Sequence, residues 1–186
     1  MNITISGLSK SFSYKVIHND FSLKIKSGES IGIYGPNGCG KTTLLKIISG
    51  IMSFESGKVL IGKEVLKSNN SKSRENTFYL GHSNGLYNNL TAQENLIFIA
   101  KLYNKNISNI NTVLSSIGLN LEKKKLISFF SKGMLQRLKI GACIVSDCKI
   151  LLLDEPISGL DEDGIRIFSG FYDDWRKLKR TILLVS

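Results

Sequence analysis

The stretch GPNGCGKTT, Gly35 to Thr43, fits the spacing G-x-x-x-x-G-K-[ST]. Gly35, Gly38 and Gly40 let the backbone curl so that successive N–H groups face an anion, while Pro36, Asn37 and Cys39 fill the positions between them. Lys41 reaches the β- and γ-phosphates of a nucleotide, and the Thr42 hydroxyl can ligate Mg2+. Thr43 closes the motif inside the first turn of a helix, whose N-terminal dipole favours phosphate charge. Cys39 holds a variable position of the loop, where a small side chain is tolerated.

ILLLDEP, Ile150 to Pro156, supplies a partner: an apolar strand carries Asp154 toward the metal, and Glu155 follows where it could polarise an attacking water. Both prolines of the chain, Pro36 and Pro156, fall within these two stretches, which suggests rigid turns where phosphate chemistry needs fixed geometry.

The elements that must hold these groups are readable as hydrophobic periodicity. ITISGL from Ile3, FSLKI from Phe21 and SIGIY from Ser30 read as strands. KTTLLKIISG then reads as a helix that places Leu44, Leu45, Ile47 and Ile48 near one face and stops at Gly50. ESGKVLIG is a turn and strand, Lys67 to Asn76 an exposed loop, and TFYL from Thr77 a short strand. Thr91 and Glu94 form a capping box, which predicts a helix starting near Ala92. Residues 91 to about 146 read as a mostly helical insertion, with Leu135, Leu138, Ala142 and Val145 on one stripe. KILLLDE is a strand of the buried parallel kind, 161–179 a further helix and TILLVS a last strand.

At 186 residues the chain has the size of one domain, here an α/β unit, and no apolar run approaches the roughly 20 residues of a membrane span. No secretory signal is visible, and three cysteines without zinc-type spacing point to reduced thiols and a cytosolic-type compartment. The net charge of +10 is spread along the chain, the densest run being Lys123 to Lys125, so no specific nucleic-acid partner is expected. A guanine-specific motif is not formed either: NKNI, Asn104 to Ile107, lacks the Asp that the guanine motif Asn-Lys-x-Asp requires, which argues against a P-loop GTPase.

Between the two phosphate motifs lies FSKGMLQRL, Phe130 to Leu138, in which Ser131 is a good N-cap for an amphipathic helix. With the phosphate loop before it and LLLDEP after it, the chain resembles the ATP-binding domain of ABC transporters over essentially its whole length. The resemblance implies a P-loop NTPase with a RecA-like core, an N-terminal antiparallel β subdomain and an inserted helical signature subdomain. It implies ATP and Mg2+ as cofactors and an ATPase coupled to transport, a translocase. By the same resemblance Phe12 matches the aromatic that stacks on adenine, with Tyr14 a nearby alternative, and Thr42 and Asp154 serve the metal. Ser131, Lys132, Gly133 and Met134 form a signature whose Ser and Gly contact the γ-phosphate of the other subunit. Ser158, Gly159, Leu160 and Asp161 resemble the D-loop across a dimer interface. Two ATP molecules would lie between two head-to-tail domains, in a homodimer or pseudo-dimer. Phe130, Lys132 and Met134 depart from the common L-S-G-G-Q form, and the Ser-Lys-Gly-Met version looks like exporters with separate transmembrane subunits.

His82 falls where the family has a Gln that contacts Mg2+ or the attacking water and touches the membrane partner. An imidazole can still hydrogen-bond a metal-bound water, so His82 joins the expected catalytic and metal residues. LGHSNGL followed by LTAQENL is similar to the CcmA-type haem-exporter ATP-binding subunits of cytochrome c maturation. Haem export, with cytochrome c maturation membrane proteins as partners, is the function this implies; a generic ABC-2-type exporter of drugs, lipids or polysaccharides is the alternative, and a non-transport ABC ATPase acting on nucleic acid a more distant one. The place implied is the cytoplasmic face of a bacterial inner membrane, or the matrix face of the mitochondrial one if the chain is organelle-encoded. The family's switch His follows the last strand, and TILLVS ends at Ser186 just before it, so the expectation is a chain lacking its C-terminal part that binds ATP but turns it over slowly.

Overall fold

The computed structural model describes residues 1–66, 74–81 and 85–186. The expected loop is therefore described only at 74–76, a turn, and His82 lies outside the described residues. The chain divides into two compact units, one of Met1–Tyr79, Cys148–Glu155 and Arg176–Ser186, the other of Leu80–Asp147 and Pro156–Trp175.

In the first unit the alternating sequences from Ile3 and from Phe21 both form strands, each longer than expected. Strand β1 (Ile3–Phe12) lies antiparallel between β2 (Lys15–Ile25) and β4 (Ser56–Ile61), with the short β5 (Glu64–Val65) at the edge. The second sheet has the order β3 (Ser30–Ile33), β8 (Thr181–Val185), β7 (Ile150–Asp154), β6 (Thr77–Leu80), and β8 runs parallel to both β3 and β7. Residues Ile150 to Leu153 are wholly buried, which is why this strand shows no polar alternation. Helix α1 (Lys41–Ile48) buries Leu44, Leu45, Ile47 and Ile48 into one cluster with Ile3, Ile5, Leu152 and Leu183. Each such side chain contributes about 1.5–3 kcal/mol on burial. That core fixes the end of β7, so Asp154, paired in register with Val185, sits at the carboxyl edge of the parallel strands, where open α/β sheets place their ligands.

The second unit is helical, and 91–146 is mostly helical as expected. Helices α2 (Ala92–Leu102), α3 (Ile110–Ser116) and α4 (Lys132–Ser146) are separated by irregular segments, and the unit also includes α5 (Glu162–Lys177) as far as Trp175. The capping box forms as predicted: the Glu94 amide donates to Thr91 Oγ1 at 3.2 Å, and the Thr91 amide donates to Glu94 Oε2 at 2.8 Å.

The stripe predicted for α4 is only part of what this helix buries. Leu138, Ala142 and Val145 are buried, whereas Leu135 is half-buried, and Gln136, Lys139 and Cys143 on other faces are buried as well. The reason is that α4 packs against both α2 and α3, so more than one face is covered. The polar side chains find acceptors there: Gln136 Nε2 donates to the Pro156 carbonyl at 2.6 Å, and Lys139 Nζ to the Gly81 carbonyl at 2.9 Å. Burial makes the Lys139 ammonium easier to deprotonate than an ordinary lysine. No helix among the described residues is long and apolar enough to cross a membrane.

Loss of an N-cap costs about 1 kcal/mol. Thr91→Ala is expected to lower stability by that amount, read as a shift of the urea midpoint; an unchanged midpoint would contradict the structural role of the box.

Candidate functional site

The loop between β3 and α1 is shaped by its glycines and by what lies behind them. Gly40, the residue before α1, has φ of 100°, a left-handed conformation that favours glycine. A Cβ there would also come within 2.6 Å of Ile17 Cγ2 and 2.9 Å of His18 Cε1. Position 40 is thus restricted twice, by backbone angle and by space. The His18 Nε2 lies 3.2 Å from the Gly40 carbonyl, and since a carbonyl only accepts, that nitrogen carries the proton. The same carbonyl accepts the Leu44 amide at 2.9 Å, so His18 braces the first turn of α1 from behind. Lys41 Nζ donates to the carbonyls of Gly35 at 2.5 Å and Pro36 at 3.2 Å, which wraps the loop around the ammonium.

Facing this loop is a cavity of about 410 Å³ lined by Lys15, Ile17, Asn37, Gly38, Gly40, Lys41, Thr42, Thr43, Glu155 and Val185. Two ammonium groups and the start of a helix give it the electrostatics of an anion site. Gly35 and Pro36 contribute carbonyls to Lys41 without lining the cavity, and Cys39 is exposed. Phe12 is not among the lining residues: it ends β1 at 45% exposure with Lys10 Nζ 5.0 Å over its ring. Tyr14, in the hairpin turn, is fully exposed, and the same hairpin supplies Lys15 and Ile17 to the cavity.

Asp154 is 2% exposed, and both of its oxygens accept hydrogen bonds: Oδ1 from the Thr42 hydroxyl at 3.0 Å and Oδ2 from the Tyr79 hydroxyl at 2.8 Å. Burial, then the bond to Asp154 and its charge, make the Tyr79 phenol harder to ionise. Thr42 and Asp154 are hard oxygen ligands brought together from elements far apart in the chain. Among the described residues no group of three or more His, Cys, Asp or Glu could hold a metal ion by itself. One or two protein oxygens beside a phosphate cradle suit Mg2+, which keeps several waters and takes phosphate oxygens as further ligands. Glu155, the next residue, has φ of 49° and donates its amide to the Val185 carbonyl at 3.0 Å. A non-glycine residue in that region carries backbone strain of about 1–3 kcal/mol, and here the conformation brings Glu155 to the cavity wall.

Within the second unit, Ser131 is the N-cap of α4, its hydroxyl accepting the Met134 amide at 3.2 Å. Lys132, Gly133 and Met134 form the first turn. Ser158 and Gly159 lie in the turn after Pro156, and a Cβ on Gly133 would be 3.3 Å from the Gly159 carbonyl, so the two stretches approach closely. Leu160 donates its amide to Ile157, and Asp161 Oδ1 accepts from Arg137 at 2.5 Å and from the Gly164 amide at 2.8 Å. The Arg137 hydrogen bond, with the Gly164 amide, holds the Asp161 carboxyl below the usual range.

Five residues of this site were not legible as functional: Lys15, Ile17, His18, Tyr79 and Val185. Each reaches the site through strand pairing that no local spacing encodes.

Residues 18–158 match the ABC transporter family, and the chain belongs to it. The chain is 35% identical to the linearmycin resistance ATP-binding protein LnrL of Bacillus subtilis over 83% of its own length and 51% of LnrL. It is 32% identical to the lantibiotic transport ATP-binding protein SrtF of Streptococcus pyogenes, over 99% of this chain and 79% of SrtF. The chain thus spans about half the length of LnrL and about four fifths of SrtF. The ATP-binding cassette MJ0796, solved as a dimer bound to ADP and Pi, has the same fold, with a TM-score of 0.90 at 21% identity over 99% of this chain and 87% of that one. The α/β architecture expected from the sequence, with one antiparallel and one parallel sheet, is the ABC ATPase fold.

Burial holds the His18 ring below the ordinary histidine value of 6.5, only partly offset by its bond to Gly40. The folded chain therefore keeps His18 neutral. As pH falls through the ordinary value the unfolded chain takes up the proton first, so this site removes stability on the acid side and none above it. His18→Gln, which keeps an N–H donor, is expected to lose less melting temperature than the wild type between about pH 7.5 and about pH 5.5; equal losses would contradict the account.

Proposed function

We propose that this chain is the ATP-binding and ATP-hydrolysing subunit of an ABC export complex, working as a homodimer or pseudo-dimer with a separate transmembrane subunit at the cytoplasmic face of a membrane. The observation that carries the reading is the Thr42–Asp154 pair set behind a cavity lined by Lys41 and Glu155. Lys41 and the amides at the start of α1 hold the phosphates, Lys15 adds positive charge, and Thr42 and Asp154 hold the cation. Bound Mg2+ supplies neutralisation of charge on the phosphate oxygens. Glu155 orients the attacking water and accepts its proton. Phe12, or Tyr14, on the hairpin beside Lys15, offers the adenine a face to stack on.

Ser131, Lys132, Gly133 and Met134 at the start of α4 are offered to the nucleotide of the other subunit, with Ser158 to Asp161 at the subunit boundary. His82 is read as the group that senses the metal-bound water. The exposed Tyr87 and Phe98, stacked edge to face at 4.8 Å, are a candidate contact for the membrane partner near that segment.

The names of LnrL and SrtF, linearmycin resistance and lantibiotic transport, favour a generic exporter of the drug, lipid or polysaccharide class. Haem export in cytochrome c maturation is a second reading. It rests on LGHSNGL and LTAQENL alone and draws no support from those names. Copurification from detergent-solubilised membranes separates the two: cytochrome c maturation membrane proteins would favour the second, any other ABC membrane subunit the first.

A hydrogen bond to a charged group contributes about 1.5–3 kcal/mol, so Lys41→Ala is expected to weaken Mg-ATP binding by at least about tenfold in calorimetry. Glu155→Gln is expected to bind Mg-ATP like the wild type and to turn it over more slowly, by about a hundredfold or more. Unchanged affinity in the first variant or unchanged turnover in the second would sink the assignment.

A further inference from the structure

We propose that Tyr79 is a positioning residue for the cation site: its hydroxyl pins Asp154 so that Asp154 Oδ1 and the Thr42 hydroxyl are presented together to a nucleotide-bound divalent cation. This rests on the nucleotide-site reading above. The geometry is that of a carboxylate held from both sides, Thr42 donating to Oδ1 at 3.0 Å and Tyr79 to Oδ2 at 2.8 Å. Because the Thr42 proton is directed at Asp154, the lone pairs of its oxygen remain available for a cation. A carboxylate held by one donor alone can swing about its terminal torsion, which is broad and two-fold. The second donor removes that freedom.

The donor itself is well anchored. Tyr79 lies on β6, next to β7 in the sheet, between the buried Phe78 and Leu80. Its ring packs against the apolar cluster that also contains Leu152 and Val185, so the hydroxyl is delivered by a strand and its core contacts instead of by a loop. Groups that orient metal ligands in this way commonly govern affinity by ten- to a hundredfold, about the effect expected here.

The test is a titration of Mg2+ against binding of a fluorescent ATP analogue, for the wild type and Tyr79→Phe, with a parallel measurement in EDTA. Phenylalanine keeps the ring packing and removes one donor. The expected result is that Tyr79→Phe needs about ten- to a hundredfold more Mg2+ for half-maximal binding, while its affinity in EDTA equals that of the wild type. Melting curves without metal separate cation affinity from folding. Tyr79→His, which retains an N–H donor on a ring, is measured alongside and should fall between the two; it also serves if the Phe variant does not fold. Tyr79→Phe requiring the same Mg2+ as the wild type, or losing affinity equally with and without Mg2+, would overturn the assignment. Failure of the wild type itself to bind nucleotide would overturn the nucleotide-site reading as well, so the two failures are told apart.

Discussion

The structure of the first unit turns on one buried carboxylate. Asp154 is almost wholly removed from water at the end of a strand whose other residues are all apolar. A charge placed there is costly unless hydrogen bonds replace its hydration. The replacements come from the first turn of α1 and from β6, so satisfying Asp154 requires that these elements converge on the end of β7. The apolar cluster under α1 makes that convergence favourable. The carboxylate, in turn, sets where the phosphate loop must stand.

The loop is held with the same economy of parts. Lys41 folds the loop around its own ammonium through two carbonyls, and His18 supports the Gly40 carbonyl from the opposite side. Gly40 admits His18 and Ile17 so closely because it lacks a side chain. Charge recognition and backbone shape are therefore produced by the same few residues, and the cavity that results has cations on its wall and a carboxylate, Glu155, beside them.

How much of this the sequence disclosed depends on the range of the interaction. The loop spacing, the capping box of α2, the strand at Thr77 and the apolar strand before Asp154 are local patterns, and the structure places each where the pattern did. Tyr79 in TFYL looks like an ordinary strand residue, and His18 lies ahead of the strand expected from Phe21; neither stands out, because their partners lie far away in the chain. Helix α4 buries more than its predicted stripe for a related reason: a stripe is the rule for a helix covered on one side, and α4 is covered by two neighbours. Its buried Gln136 and Lys139 read as surface residues until the carbonyls of Pro156 and Gly81 are seen beside them. The subfamily, too, was harder to read than the family. A short match around 80–96 pointed to cytochrome c maturation, while the phosphate loop and Asp-Glu pair are shared by ABC proteins of many substrates.

The central claim is that nucleotide phosphates lie in the loop before α1, with Glu155 alongside. It is tested most directly by following backbone amide resonances as Mg-ATP is added to the isotope-labelled chain. The account predicts that the amides of Gly38, Gly40, Lys41 and Thr42 move first and furthest, together with that of Glu155. Saturation with those amides unmoved, or with the main changes confined to α2 and α3, would contradict it.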